Sequence, residues 1–218
     1  FLPDPPAVAG GTNSTLAKSA AAESRRGLRR EGFANSYVII VGVVYAVVGL
    51  TYIVQAIFMY SYALAANIDP DVAGALAAFM GMLGIVFGPV WGSLSDQLGR
   101  GQSLTLSMLM AFVSTLVPVL SPTLYGFATH YLILGVAVTG MFTSSLAAST
   151  ERVNVDQAPL AVSYVTMFFA AGQLVGPSAA GWLIGVTDAF RFTFGVSAGL
   201  ILLGALLSFQ LTRLPRSV

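Results

Sequence analysis

The chain has 218 residues, of which 56% are hydrophobic and only 9% are Asp, Glu, Lys or Arg, and its net charge is +1. Soluble domains carry roughly 25% charged residues, so this composition excludes a water-soluble globule and predicts a membrane protein. The small net charge gives no strong electrostatic field for nucleic acid. The lack of cysteine excludes disulfides, thiolate nucleophiles and cysteine-based metal sites.

The first 35 residues differ from the rest of the chain. They begin Phe1-Leu-Pro-Asp-Pro-Pro, are rich in Pro, Gly, Ser and Ala, and end in the basic run Ser24-Arg-Arg-Gly-Leu-Arg-Arg-Glu. Such a composition is typical of a flexible linker. The basic run either contacts anionic lipid headgroups or simply flanks a cytoplasmic helix end. No apolar core of a signal peptide precedes residue 36.

Uncharged stretches predict six membrane-spanning helices. The ten bases and nine acids fall in short clusters, and the stretches between them are long enough for the roughly 20 residues that cross a bilayer. The longest stretch, 101–150, is divided by the turn signal Ser121-Pro-Thr. We predict a six-helix bundle over residues 36–212 and a short tail over 213–218, with helices at 36–63, 72–94, 102–120, 123–147, 159–185 and 189–211.

The positions of the basic residues predict the orientation. Basic residues near helix ends favour the cytoplasm, and an even number of helices puts both termini on one side. Only Arg191 falls on the face opposite the termini. We therefore expect both termini in the cytoplasm. The bases on the cytoplasmic side are Lys18, Arg25, Arg26, Arg29, Arg30, Arg100, Arg152, Arg213 and Arg216.

The end of the second predicted helix carries a regular motif. Gly84, Gly88 and Gly92 recur every four residues and so share one helix face. Small residues on one face let a neighbouring helix approach closely in lipid. Asp96 follows at the C-terminal end of the helix, where the helix dipole disfavours an acid. We expect its carboxylate to face another helix's N-terminus or Arg100.

The spacing Gly92-x-x-x-Asp96-x-x-Gly99-Arg100 resembles the cytoplasmic signature loop of major facilitator superfamily transporters. The base that usually follows the Asp is replaced by Gln97, which resembles the weaker copy in the second half of these twelve-helix proteins. The resemblance implies an all-α membrane fold in which this chain is the C-terminal six-helix half. It also implies that residues 1–35 are the linker between halves and that Asp96 latches the two halves together.

A second pattern of the same family is found in the fifth predicted helix. The stretch Gly172-Gln-Leu-Val-Gly176-Pro177-Ser-Ala-Ala-Gly181 is similar to the family's Gly-Pro-x-x-Gly-Gly motif, with Ala180 at the first closing position. Together with Gly84 and Gly88, these glycines are predicted helix-packing residues. Pro89, Pro118 and Pro177 are candidate kinks or hinges.

The resemblance implies a secondary transporter of the bacterial inner membrane, working by alternating access, and not an enzyme. Its partners would be the lipid bilayer, the other six-helix half and a small-molecule substrate, with no nucleic acid, metal or cofactor. The predicted spans contain no charged residue in their interiors, which favours a neutral or amphipathic organic solute. Two alternatives stay open, namely a non-transporting membrane subunit with the same fold and a six-helix half that works as a homodimer.

Helices 1, 2, 4 and 5 of each half face the substrate cavity in the resembling family. Tyr45, Tyr52 and Gln55 lie within roughly 80° of one another on the first helix, facing either the cavity or another helix. His130, the only histidine, suits proton exchange near neutral pH but is also typical of a packed interfacial residue. The candidate cavity residues are Tyr45, Tyr52, Gln55, His130, Tyr164 and Gln173.

Overall fold

A computed structural model describes residues 35–213, and this range contains six long helices and no strand. All six are long and apolar enough to cross a membrane. The prediction of an all-α, six-span membrane fold is confirmed. The helices are α1 (Ser36–Ala65), α2 (Pro70–Leu98), α3 (Arg100–Leu120), α4 (Leu124–Thr150), α5 (Ala158–Thr187) and α6 (Phe190–Arg213), with a short 3-10 helix, Val155–Gln157, before α5.

Some helices run past their predicted ends. The predicted second helix stops at 94, whereas α2 continues to Leu98 and meets α3 at the single residue Gly99. Gly99 has a φ of +94°, a left-handed conformation that a side chain disfavours. The predicted linker, apart from Asn35, and the predicted tail, apart from Arg213, lie outside the described residues.

Polar side chains mark where several helices begin. The Asn35 side chain accepts a hydrogen bond from the Tyr37 amide at 3.0 Å, and the Asp69 carboxylate accepts bonds from the amides of Asp71 and Val72. Thr123 accepts a bond from the Gly126 amide at 3.3 Å. These N-caps satisfy amides that lack a partner within their helix, and each lies at the membrane edge of a span.

Helix α1 lies at the centre of the bundle. It packs along α5 and also contacts α4 and α6, while α3 packs on α4 and α6, and α2 packs mainly on α4. Glycines bring α1 and α5 very close together, since a Cβ added at Gly172 would overlap the carbonyl oxygen of Ala46 and one at Gly176 would overlap that of Leu50. In turn, a Cβ at Gly49 would overlap the carbonyl oxygen of Phe169.

Burial is uneven among the helices. In the most apolar 18-residue windows, 56% of the residues of α1 and α4 are buried, compared with 6% for α2 and 17% for α5. Large apolar side chains such as Ile85 on α2 and Trp182 on α5 are exposed. Helices α2 and α5 therefore carry apolar faces that no other described residue covers.

Candidate functional site

Four aromatic rings meet where α1, α4 and α5 come together. Tyr45 stacks on Phe169 with ring centroids 4.5 Å apart, and Phe142 lies edge-on to Phe169 at 5.4 Å. Tyr52 lies edge-on to Phe142 at 5.3 Å. Tyr45 is buried, but Tyr52, Phe142 and Phe169 keep part of their surface exposed. We call Tyr45, Tyr52, Phe142 and Phe169 the aromatic cluster.

The geometry of the cluster follows from helix spacing and close packing. Tyr45 and Tyr52 are seven residues apart, which is about two helical turns, so they lie on the same face of α1. The contact of α1 with α5 at Gly49 brings the backbone of Phe169 against α1, and its ring can then stack on Tyr45. Offset or edge-on pairs at these distances each contribute roughly 0.5–1.5 kcal/mol.

Two further predicted cavity residues lie on α5. Tyr164 is partly buried and lies edge-on to Phe168 at 5.1 Å, one turn before the cluster along the chain. Gln173 is also partly buried, and its side-chain amide makes no hydrogen bond to any residue within 35–213. Its neighbour Gly172 contacts α1. Both side chains are thus on the helix that brings Phe169 into the cluster.

Gln55 and His130 each have one polar side-chain atom hydrogen-bonded to α3. The Thr115 hydroxyl donates a hydrogen bond to Gln55 Oε1 at 2.9 Å, and Gln55 Nε2 donates to the Thr51 carbonyl at 3.3 Å. His130 Nδ1 lies 2.9 Å from the carbonyl oxygen of Ser114. Both side chains are buried. The structure therefore separates these two candidates from the aromatic cluster.

The loop between α2 and α3 contacts the end of α4. Arg100 Nη1 donates hydrogen bonds to the Ala147 carbonyl at 2.6 Å and to the Thr150 hydroxyl at 3.3 Å. Asp96 is exposed and makes no hydrogen bond or ion pair with any described residue. The guanidinium thus binds α4 instead of Asp96, which leaves the carboxylate available to another surface.

A polar cluster at the same end of the bundle links α1 to the residues after α4. The Tyr37 hydroxyl donates a hydrogen bond to Glu151 Oε2 at 2.7 Å, and the Arg152 guanidinium lies over the Tyr37 ring at 4.2 Å. Asn35 donates to the Arg152 carbonyl at 3.1 Å. Tyr37, Glu151 and Arg152 border a cavity of about 100 Å³ that Gly99 and Arg100 also line.

The predicted helix-packing glycines fall into two groups. Gly172 and Gly176 face α1, Gly84 faces α4 with Thr139 as its nearest neighbour, and Gly181 faces Phe58. Gly88 and Gly92 have no neighbouring atom within 4 Å of an added Cβ among the described residues. Pro177 lies inside α5, directly after Gly176. The glycine stripe of α2 therefore contacts α4 at only one of its three positions.

Sequence reasoning missed Phe142, Phe169 and the Tyr37–Glu151 pair. Phe142 and Phe169 lie in almost uniformly apolar helices, where the sequence has no signal for which phenylalanine faces a neighbour. In the sequence, Glu151 and Arg152 indicate a charged break between two spans, and Arg152 indicates the orientation, but neither residue indicates a contact with Tyr37. Within residues 35–213, no three His, Asp or Glu side chains come together as a metal site would require.

The chain is similar to known membrane proteins. The model of the family described as Major Facilitator Superfamily matches residues 39–218. Monocarboxylate transporter 6 of Homo sapiens is 24% identical over 173 residues, covering 78% of this chain and 34% of that protein. Tetracycline resistance protein, class G, of Vibrio anguillarum is 32% identical over 116 residues, covering 52% and 29%.

A third relative is an uncharacterized MFS-type transporter, YfkF, of Bacillus subtilis (strain 168). It is 26% identical over 121 residues, covering 56% of this chain and 31% of that protein. The chain thus spans about a third of the length of these curated relatives.

Proposed function

The chain belongs to the Major Facilitator Superfamily, and we propose that it is the C-terminal six-helix half of a secondary transporter that works by alternating access. Two of these relatives, from Homo sapiens and Bacillus subtilis, are named as transporters. Together with the family match, these names indicate a transport protein and not an enzyme. In this proposal the transported molecule is a small, neutral or amphipathic organic solute. The protein resides in a bacterial inner membrane with both termini in the cytoplasm.

The aromatic cluster is the observation that carries the proposed substrate class. Three of its four rings are partly exposed, and they come from the three helices α1, α4 and α5. The spans α1, α4 and α5 contain no Asp, Glu, Lys or Arg. Aromatic surface without an ionic partner favours a neutral, flat or amphipathic molecule over a strongly charged one.

In this proposal, Tyr45, Tyr52, Phe142 and Phe169 contact the solute, and Tyr164 and Gln173 extend the same surface along α5. The free side-chain amide of Gln173 supports a hydrogen-bonding role. Gln55 and His130 contribute to this half by packing against α3. The names of the relatives refer to monocarboxylates and tetracycline, so they do not single out one substrate for this chain.

The partner of this half would be a second six-helix bundle. Helices α2 and α5 are the least covered of the six spans, so in this proposal the second bundle packs against them. Asp96, exposed and without a polar partner within the described chain, supports a latch to that second bundle. Gly88 and Gly92 have open space beside them on the same helix, which would let another helix approach closely.

Uptake into proteoliposomes tests the proposal. The full-length protein would be offered a neutral aromatic amide, a monocarboxylate and an organic cation, each radiolabelled. We expect uptake of the neutral compound, with an apparent affinity roughly tenfold weaker or more in Phe142→Ala and Phe169→Ala. Phe192→Ala is the matched control, because Phe192 is exposed on α6 away from the cluster.

Three other results of the uptake experiment would contradict different parts of the proposal. If a folded protein takes up none of the three solute classes, the alternative of a non-transporting membrane subunit gains support. Preferred uptake of the anion or the cation contradicts the substrate class but leaves the transporter proposal standing. An equal loss in Phe192→Ala and Phe142→Ala would remove the aromatic cluster from substrate binding.

A further inference from the structure

Pro118 interrupts the hydrogen-bond ladder of α3. It lies inside the helix, and proline has no backbone N–H, so the carbonyl of Ser114, four residues earlier, loses its usual donor. An unsatisfied carbonyl is costly within a membrane because lipid cannot replace the missing bond. Some other group must therefore donate a hydrogen bond to the Ser114 carbonyl oxygen.

His130 of α4 donates that hydrogen bond. Its Nδ1 lies 2.9 Å from the Ser114 carbonyl oxygen, and the Ser114 hydroxyl lies 2.8 Å from the His130 carbonyl oxygen. Both side chains are fully buried. A carbonyl only accepts hydrogen bonds, so Nδ1 carries the proton, and the Ser114 hydroxyl donates in the opposite direction. The two residues thus join α3 and α4 through a reciprocal pair of bonds at the proline.

The other ring nitrogen of His130, Nε2, has no acceptor within the described chain to which a proton on it could be donated. Nε2 is buried and has no hydrogen-bond partner among residues 35–213. A proton there would create a buried cation and a donor without an acceptor, both of which are costly. A neutral ring with the proton on Nδ1 avoids both costs.

The titratable and charged groups around this position are few and are engaged elsewhere or exposed. The Tyr131 ring lies 5.2 Å from the His130 ring. Tyr62 of α1 donates to the Pro118 carbonyl and Arg191 of α6 donates to the Val119 carbonyl. On α2, Asp69 caps the helix and Asp71 is exposed at its start. The α3 and α4 spans themselves contain no charged residue after Arg100.

We propose that His130 is a neutral hydrogen-bond donor that repairs the break at Pro118 and fixes α3 to α4, and that it is not a proton carrier. It is a positioning residue, because α4 also carries Phe142 of the aromatic cluster. The second half of this inference rests on the proposed transport function. The first half concerns only folding and is tested without transport.

Substitutions distinguish the donor role from simple packing. The amide nitrogen of Asn reaches about where Nδ1 lies, whereas Gln and Leu do not place a donor there. In the purified full-length protein we expect His130→Asn to keep a near-normal Tm and His130→Gln or His130→Leu to lower it by roughly 2–8 °C. Equal losses in the Asn, Gln and Leu variants would overturn the donor role.

A second test combines His130→Leu with Pro118→Ala in one protein. Pro118→Ala returns a backbone N–H that can bond to the Ser114 carbonyl, so His130 becomes less necessary. We expect the Tm loss caused by His130→Leu to be at least about halved in Pro118→Ala. Additive losses of the two substitutions would contradict a shared hydrogen bond at Ser114.

Spectroscopy and transport test the neutral state. Selective ¹⁵N-histidine labelling, with His130→Asn to identify the signal, should show two distinct ring nitrogens with the proton on Nδ1, unchanged from pH 5.5 to 8. The pH profile of uptake should be the same in His130→Asn and in the unmodified protein. A ring that titrates in this range, or a shifted profile, overturns the proposal. If no uptake is found for any solute, only the proposed transport function fails, because the Tm and NMR results still decide the donor role.

Discussion

The Arg100 side chain caps the C-terminal end of a helix that is distant from it in sequence. Arg100 is the first residue of α3, yet its guanidinium donates to the Ala147 carbonyl in the last turn of α4. The last carbonyls of a helix lack partners within the helix and carry the negative end of its dipole. A cation that donates to them therefore satisfies both needs at once.

We expect Arg100→Ala to destabilise the protein by about 1–2 kcal/mol, because it leaves the Ala147 carbonyl and the Thr150 hydroxyl without this donor. Thermal unfolding of the purified protein, followed by circular dichroism, measures the loss. Gln102→Ala is the control, since Gln102 is exposed in the same turn. A loss no larger in Arg100→Ala than in Gln102→Ala would show that this contact adds no stability.

At the scale of whole elements, the pair α1 and α5 depends on glycine. Backbone atoms of Ala46 and Leu50 fill the space where Cβ atoms at Gly172 and Gly176 would lie. In lipid, where no hydrophobic effect drives helices together, such close packing supplies much of the association energy. The same approach brings Phe169 next to Tyr45, so helix packing and the aromatic cluster share one cause.

We expect Gly172→Leu to force α1 and α5 apart, to destabilise the protein by roughly 1–3 kcal/mol and to weaken solute binding together with stability. Gly185→Leu is the matched control, because Gly185 is on the same helix and has open space around it. Unfolding in detergent by a chemical denaturant gives the comparison. Equal stability of the two variants would argue against tight packing at Gly172.

The sequence predicted helices better than it predicted their faces. Charged residues cannot enter the bilayer core cheaply, so their positions delimit the six spans. The direction of a side chain was harder to predict because α1 is surrounded by neighbours. Tyr45 contacts rings of α4 and α5, and Tyr52 contacts a ring of α4. Gln55, on nearly the same face by angle, binds Thr115 of α3.

Proline and histidine show the same limit. The sequence indicates His130 as a titratable group and Pro118 as a candidate kink, with nothing that connects the two. Their relation depends on which carbonyl the proline releases and which helix lies beside it, and neither is visible without the packing of α3 on α4. Charge clusters and a turn signal predict approximately where the helices end, but they do not predict the contacts between helices.

For the whole molecule, orientation in the membrane can be measured directly. The chain contains no cysteine, so each introduced cysteine is the only one in this segment. Tyr125 is 83% exposed at the start of α4, and Val155 is 88% exposed between α4 and α5, at the opposite end of the bundle. These two positions therefore report the two sides of the membrane.

We expect a membrane-impermeant maleimide to label Tyr125→Cys in intact cells and to label Val155→Cys only after the cells are permeabilised. The physical reason is the concentration of basic residues at the Val155 end, which favours the cytoplasm. Gln97→Cys, also exposed at that end, should behave like Val155→Cys. The reverse labelling pattern would place the termini outside the cell.

The one-residue connection at Gly99 has a mechanical consequence. Its amide bonds back to Ser95 in α2, and its carbonyl accepts from Ser103 in α3, both at 3.0 Å. The two helices are therefore joined by one residue that is hydrogen-bonded to both, and the next residue, Arg100, binds α4. A displacement of the end of α2 that carries Asp96 would therefore also displace the start of α3 and, through Arg100, the end of α4.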